Sequence, residues 1–193
     1  EKDGPDSEGV AFALSDIGHL HDTLGQLDRA LKAQQEALRI SRLRRGDDSE
    51  RVAISLASIG IIFSRQGRFE EARANHDEAL EIYRRLNGEK HPNVASALGN
   101  IAEVLSKQGH YDEAIKLHRK ALKIKRRVFG EGHEKVARSL YATGGILAKQ
   151  EKYDEAVEMF EEALEVMTRA SGIDNTSRLH ALLHHEMSQA KDG

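Results

Sequence analysis

Gly4, Gly46, Gly88, Gly130 and Gly172 stand 42 residues apart, and Gly25, Gly67, Gly109 and Gly193 keep the same period, with Glu151 at the one place where the second series lacks glycine. A fixed period of this length marks a repeat array. One unit cannot bury its apolar face alone, so units stack, and the folded chain offers an extended surface rather than one enclosed pocket. The composition suits a stack: 39% hydrophobic and 5% aromatic residues, no Trp and two Pro among 193 residues are thin material for a single thick core. They are enough for an apolar seam between neighbours.

Charge and cysteine usage narrow the classes further. Lys and Arg total 29 against 32 Asp and Glu, a net charge of −3, so no overall field points to nucleic acid or a membrane surface. The absence of cysteine excludes disulfides, thiolate catalysis and thiolate metal sites, and it fits a reducing compartment; the expected location is cytoplasmic. No apolar run approaches the ~20 residues needed to span a bilayer, and no signal-peptide pattern opens the chain. The first repeat begins at once at Gly4, so the chain reads as a cut fragment, and a removed targeting segment stays open.

Between the glycines lie two stretches with helical periodicity. The first reads Val52-Ala53-x-x-Leu56-x-x-Ile59-Gly60-x-x-Phe63 and recurs as Val94-Ala95-x-x-Leu98-x-x-Ile101-Ala102-x-x-Leu105 and as Val10-Ala11-x-x-Leu14-x-x-Ile17-Gly18, a single buried stripe. The second reads Phe69-Glu-Glu-Ala72, Tyr111-Asp-Glu-Ala114 and Tyr153-Asp-Glu-Ala156, each followed by an Ala-Leu pair (Ala79-Leu80, Ala121-Leu122, Ala163-Leu164). Acids in its first turn and bases in its last (Arg84-Arg85, Lys125-Arg126-Arg127) suit the helix dipole. Each unit is therefore a helical hairpin. Gly60, Ala102 and Gly144 share one position of the first helix, and Ala72, Ala114 and Ala156 one position of the second, where small side chains let helices approach closely. The expected fold is all-α: a single α-solenoid over 1–193 of stacked antiparallel hairpins, about four and a half units, with repeats at about 4–45, 46–87, 88–129 and 130–171 and a terminal helix at about 174–191.

These positions resemble the tetratricopeptide repeat. The usual period of that repeat is about 34 residues, so the longer period here indicates longer helices. Together with Gly88-Glu-Lys-His91-Pro92-Asn-Val94-Ala95 and Gln108-Gly109-His-Tyr111-Asp-Glu-Ala114, the long version resembles the repeats of kinesin light chains and of nephrocystin-type and signalling-NTPase sensor proteins. The resemblance covers essentially the whole chain and implies a right-handed superhelix. Two departures stand out. The second-helix aromatic position holds Gln34, His76, His118 and then Phe160, and the terminal helix has His185 and Glu186 where Leu and Gly or Ala belong. For His76 and His118 a partly buried core role is expected, with titration near pH 6 loosening the stack.

The resemblance also implies a concave groove lined by first helices. Its positions read Phe12, Asp16, His19 and Thr23, then Ile54, Ser58, Ile61 and Arg65, then Ser96, Asn100, Glu103 and Lys107, then Arg138, Ala142, Gly145 and Lys149, and finally His180, His184, Met187 and Lys191. The last column is cationic at Arg65, Lys107, Lys149 and Lys191. An extended peptide advances ~3.3 Å per residue and helices stand roughly 10 Å apart, so one cation would meet about every third residue of an acidic segment. Asn100 can bond a peptide backbone, because its amide both donates and accepts. Beside this stands the plainer reading, that a cation near a helix C-terminus is favoured by the dipole and faces water.

Other candidate chemistry is weaker. Lys116, Arg119, Lys120 and Lys123 form a basic stripe, but one period later stand Glu158, Glu161, Glu162 and Glu165, which reads as inter-repeat ion pairs rather than a nucleic-acid face. His180 and His184 have zinc-like spacing without enough further ligands, so no metal and no cofactor is expected. No nucleotide-binding loop, nucleophile elbow or thiol is present, so no enzyme is expected. The expected function is a non-catalytic protein–protein interaction scaffold that binds a linear, acidic segment of a partner in its groove, as kinesin light chain-type adaptors do. The alternatives are a sensor or regulatory array of a larger signalling protein, and end-to-end self-association.

Overall fold

A computed structural model describes residues 4–171, which form eight α-helices and no strand. First-type helices α1 (Glu8–Thr23), α3 (Glu50–Arg65), α5 (Pro92–Lys107) and α7 (Glu134–Lys149) alternate with second-type helices α2 (Leu27–Arg45), α4 (Phe69–Asn87), α6 (Tyr111–Phe129) and α8 (Tyr153–Ser171). Corresponding helices begin and end 42 residues apart, so the period of the sequence is the period of the structure. The fold is all-α and solenoidal. The terminal helix expected at about 174–191 lies outside the described residues.

Two compact units divide within α5, one ending at Val104 and the other starting at Leu105. In the first, α1 packs on α2, α2 on α3 and α3 on α4. Its core includes Ile40, Val52, Leu56, Ile62 and Ile82, each at most 2% exposed. In the second, α6 packs on α7 and α7 on α8 around Leu122, Val136, Ala137, Leu140, Ala163 and Val166, with Met159 against them.

Helix ends explain why one glycine series slips and the other does not. After each first-type helix the chain closes a Schellman motif: the amides of Gln26, Arg68, His110 and Lys152 reach back to the carbonyls of His21, Phe63, Leu105 and Leu147. That motif requires a left-handed residue, supplied by Gly25, Gly67 and Gly109 and, at φ 61°, by Glu151. A left-handed helical conformation costs a side chain about 1–2 kcal/mol, which one repeat tolerates. The glycines after the second-type helices adopt φ 76–86° with ψ 160–172°, at Gly46, Gly88 and Gly130. Side chains essentially never enter that region, so this series admits no substitute.

In three of the described hairpins a side chain is laid on bare backbone. A Cβ added to Gly60 would lie 2.5 Å from the His76 ring, one on Gly144 would lie 2.8 Å from the Phe160 ring, and one on Gly18 would lie 2.9 Å from the Gln34 side chain. In each case the large residue stands sixteen positions after the glycine. The small residue of the first helix is therefore the seat for the position that holds an aromatic only in the last repeat. Gln34 meets its polar requirement there by donating to the Ser15 carbonyl at 3.0 Å. Phe160 needs no partner and stacks against Tyr141 at 5.2 Å.

Histidine at this repeat position is buried at a greater cost. His76 and His118 are 2% and 6% exposed, and His76 Nδ1 and His118 Nε2 have no hydrogen-bond partner. Burial pushes both imidazoles down to about 4, and the ammonium of Lys125 adds to the effect on His118. Protonation inside the stack near pH 6, expected from the sequence, is thus displaced downward by desolvation. A pH dependence persists for a different reason. Unfolded imidazoles titrate at about 6.5, so as pH falls from there toward 4 the unfolded state binds protons that the folded state refuses.

Stability should be level above about pH 7 and fall between about pH 6.5 and 4, with a limiting slope of about 1.4 kcal/mol per pH unit for each histidine. Urea titrations across this range check it. His76→Phe, which copies the last repeat, should flatten part of the slope; an unchanged slope would contradict the assignment.

Candidate functional site

Packing leaves one stripe of each inner first-type helix open. On α3, Val52, Ala53, Leu56, Ile59, Gly60, Ile62 and Phe63 are buried, while Ile54, Ile61 and Arg65 are exposed and Ser58 is half-buried. On α5, Ser96, Glu103 and Lys107 are exposed and Asn100 is half-buried. On α7, Arg138 and Lys149 are exposed and Ala142 and Gly145 are half-buried. Helical periodicity puts each set along one face, and the solvent-facing positions cannot be the core-facing ones. Ile61, Arg65, Ser96, Asn100 and Glu103 belong to the first unit, and Lys107, Arg138 and Lys149 to the second. His180 and His184 lie outside the described residues.

The cations of this stripe are not equivalent. Arg65 donates to the backbone carbonyl of Asp22 at 2.6 Å and pairs with the Asp22 carboxylate. It therefore caps the C-terminal end of α1, where carbonyls carry partial negative charge. Arg138 approaches Glu134 only at 3.9 Å, and both side chains are largely exposed. Ser96 turns its hydroxyl back to the Pro92 carbonyl at 3.1 Å.

In the first unit the stripe leads into a cavity of about 230 Å³ between α1, α2 and α3. Ala11, Phe12, Ile40 and Ile54 give it apolar walls, and Glu8, Arg45, Glu50 and Arg51 line it with charge. The Arg51 guanidinium stands 3.6 Å from the centre of the Phe12 ring, a cation–π contact that holds both side chains at the mouth. Phe12 and Ile54 were identifiable from the sequence as groove positions; that α2 closes a cavity behind them was not.

The basic stripe on α6 follows a register different from the expected one. Arg42 pairs with Glu78 at 2.5 Å, Arg119 meets Glu155 at 3.9 Å, and Arg126 pairs with Glu162. These partners stand 36 residues apart rather than one full period. Within each unit the two second-type helices are thus staggered by six residues, about 9 Å of helix rise. On that register Lys116, Lys120 and Lys123 oppose Lys152, Ala156 and Met159, so among the described residues Arg119 alone of the stripe has an ion-pair partner. Hydrogen bonds from Gln66 to Asp28 and from Gln150 to Asp112, both 3.0 Å, recur at one repeat position and help fix the stacking.

Among the described residues, no group of His, Asp or Glu side chains is placed to hold a metal ion, and no helix is long and apolar enough to cross a membrane.

Family models described as tetratricopeptide repeat match residues 10–50, 51–127 and 93–169. BtubC (BKLC) from P. vanneervenii is similar in structure, with TM-score 0.75 and 25% identity over 84% of this chain and 65% of that chain. The present chain therefore spans just under two thirds of that relative's length. A Podosopora anserina protein assigned as a kinesin light chain with nearly identical TPR-like repeats aligns with TM-score 0.75 and 16% identity, over 93% of this chain and 84% of the other. The apo form of RapI aligns with TM-score 0.73 and 16% identity, over 95% and 70%. No curated protein matches the sequence.

Proposed function

Because the chain belongs to the tetratricopeptide repeat family, we propose that it is a non-catalytic protein–protein interaction scaffold that receives a linear, acidic segment of a partner along the open faces of its first-type helices. The observation that carries this reading is the stripe itself: on α3, α5 and α7 the positions left open by packing are Ile61 and Arg65, then Ser96, Asn100, Glu103 and Lys107, then Arg138 and Lys149. Of these, Lys107, Arg138 and Lys149 supply positive charge within one unit, and Asn100 supplies a donor and an acceptor for a peptide backbone. Protein adaptor is the role proposed, without cofactor, nucleic acid or membrane as partner.

One observation favours self-association as a second reading. Ile17, Leu20 and Leu24 of α1 are 45%, 64% and 69% exposed, whereas Ile59 and Ile62, the repeat equivalents of the first two, are 2% exposed. In the second repeat that face is covered by packing; on α1 it is open to a helix from another copy. Light scattering over a concentration series should show the mass rising, and a constant monomer mass would dismiss this reading.

The scaffold reading is tested by calorimetric titration of an acidic dodecapeptide. Lys107→Glu combined with Lys149→Glu should weaken binding at least tenfold, with the parent's affinity falling as salt rises. Equal affinity of parent and variant would count against the stripe.

A further inference from the structure

The repeat period makes chemical differences between equivalent clefts visible, and one cleft is unlike its counterparts. Lys125 in the last turns of α6 is half-buried, and its ammonium donates to Ser139 Oγ of α7 at 2.6 Å. Ser139 is 2% exposed, so this hydrogen bond anchors the lysine head at the α6–α7 contact rather than in open solvent. On α7, Lys135 and Arg138 lie one turn apart and beside Ser139, and both are exposed. The Lys135 ammonium stands 4.4 Å from the centre of the Phe129 ring at the end of α6. The three cations sense one another: burial lowers the Lys125 pKa, and Arg138 and then Lys135 lower it further.

Acidic charge among the described residues offsets this cluster only weakly. Among the described residues neither Lys125 nor Lys135 has an ion-pair partner, and Glu134 reaches Arg138 only at 3.9 Å. Packing does not call for cations here either. One and two periods earlier, Lys125 is Tyr83 and Ser41, Lys135 is Asn93 and Arg51, and Arg138 is Ser96 and Ile54; one period later, Lys125 is Met167. Those clefts form with polar, aromatic or aliphatic groups at the places of Lys125 and Arg138, and only the place of Lys135 holds a cation elsewhere, Arg51. A partly buried cation without a counter-charge is unfavourable, and a local rule broken without an internal gain is what a binding function leaves in a sequence.

We propose that Lys125, Lys135 and Arg138 form a binding site for one anionic group, a carboxylate or a phosphoryl group, carried by the peptide segment that the scaffold receives. Ser139 is a positioning residue that fixes the Lys125 head. Arg138 offers a planar fork suited to two oxygens, and the two ammonium groups add charge without fixed geometry. The site rests on the scaffold reading for its physiological ligand but not for its existence, since a small anion suffices to occupy it.

The test uses the full chain, with inorganic phosphate and acetate as small probes and a hexaglutamate and a phosphoserine peptide as the two possible sources. Nuclear magnetic resonance titrations at constant ionic strength, with chloride as the balancing ion, follow the amides of residues 135–139 and the Lys125 ammonium. Saturable shifts are expected there, with affinity reduced at least tenfold by Lys125→Met and by Arg138→Gln. Lys125→Met should also melt at or above the parent temperature, because it removes an uncompensated cation and keeps an apolar stem, so lost binding cannot be put down to unfolding. Shifts that follow chloride alone, or small-anion affinities unchanged in both variants, would overturn the site. Saturation by small anions with no tighter binding of either peptide would keep the site and remove the peptide reading. Tight peptide binding indifferent to both substitutions would remove the site and keep that reading. The preferred peptide identifies the source.

Discussion

Each described hairpin that has a glycine at its closing position depends on the contact of a large side chain with a backbone lacking Cβ. His76 lies on Gly60, Phe160 on Gly144 and Gln34 on Gly18, always sixteen residues on. Dense packing at one point fixes how close the two helices lie and how they are rotated. That rotation decides which residues of the first helix face its partner and which face out. With Gly60 turned toward α4, Val52, Leu56, Ile59 and Phe63 enter the core, and Ile54, Ile61 and Arg65 are left open. The candidate surface is thus a consequence of the hairpin contact.

Much of this was legible in the sequence because the repeat supplies several readings of one structural unit. The glycine period marked the helix ends, and the slip at Glu151 marks the turn type that accepts a side chain. The small-residue position was visible at Gly18, Gly60 and Gly144, but what sits on it was not, since Gln34, His76 and Phe160 share size rather than chemistry. The positions on α3, α5 and α7 were named through the resemblance to the tetratricopeptide repeat. Their charge did not predict their role: Arg65 binds the end of α1 through Asp22, an acceptor that has no signature in the sequence pattern.

Two features escaped the sequence for geometric reasons. Ion pairs between second-type helices follow the helix stagger, so a comparison at the full period pairs the wrong residues, and Arg126 with Glu162 is found only once the stagger is known. The Lys125 cluster combines a second-type helix with the start of the next first-type helix. A search for basic runs sees Lys125-Arg126-Arg127 as a helix-terminal charge block, whereas the structure separates Arg126, which pairs with Glu131 at 2.8 Å, from Lys125, which turns to Ser139. The available signal was the column Ser41, Tyr83, Lys125 and Met167, in which one member differs in charge.

The claim on which these relations rest is that His76 occupies the space a Cβ at Gly60 would need. It is tested most directly by the stability of Gly60→Ala measured in the parent and in a His76→Ala background. Alanine is favoured over glycine in a helix by about 1 kcal/mol, while crowding a packed interior costs about 1–3 kcal/mol. Gly60→Ala should therefore destabilise the parent and stabilise the His76→Ala protein by up to about 1 kcal/mol. The same change in both backgrounds would contradict the account.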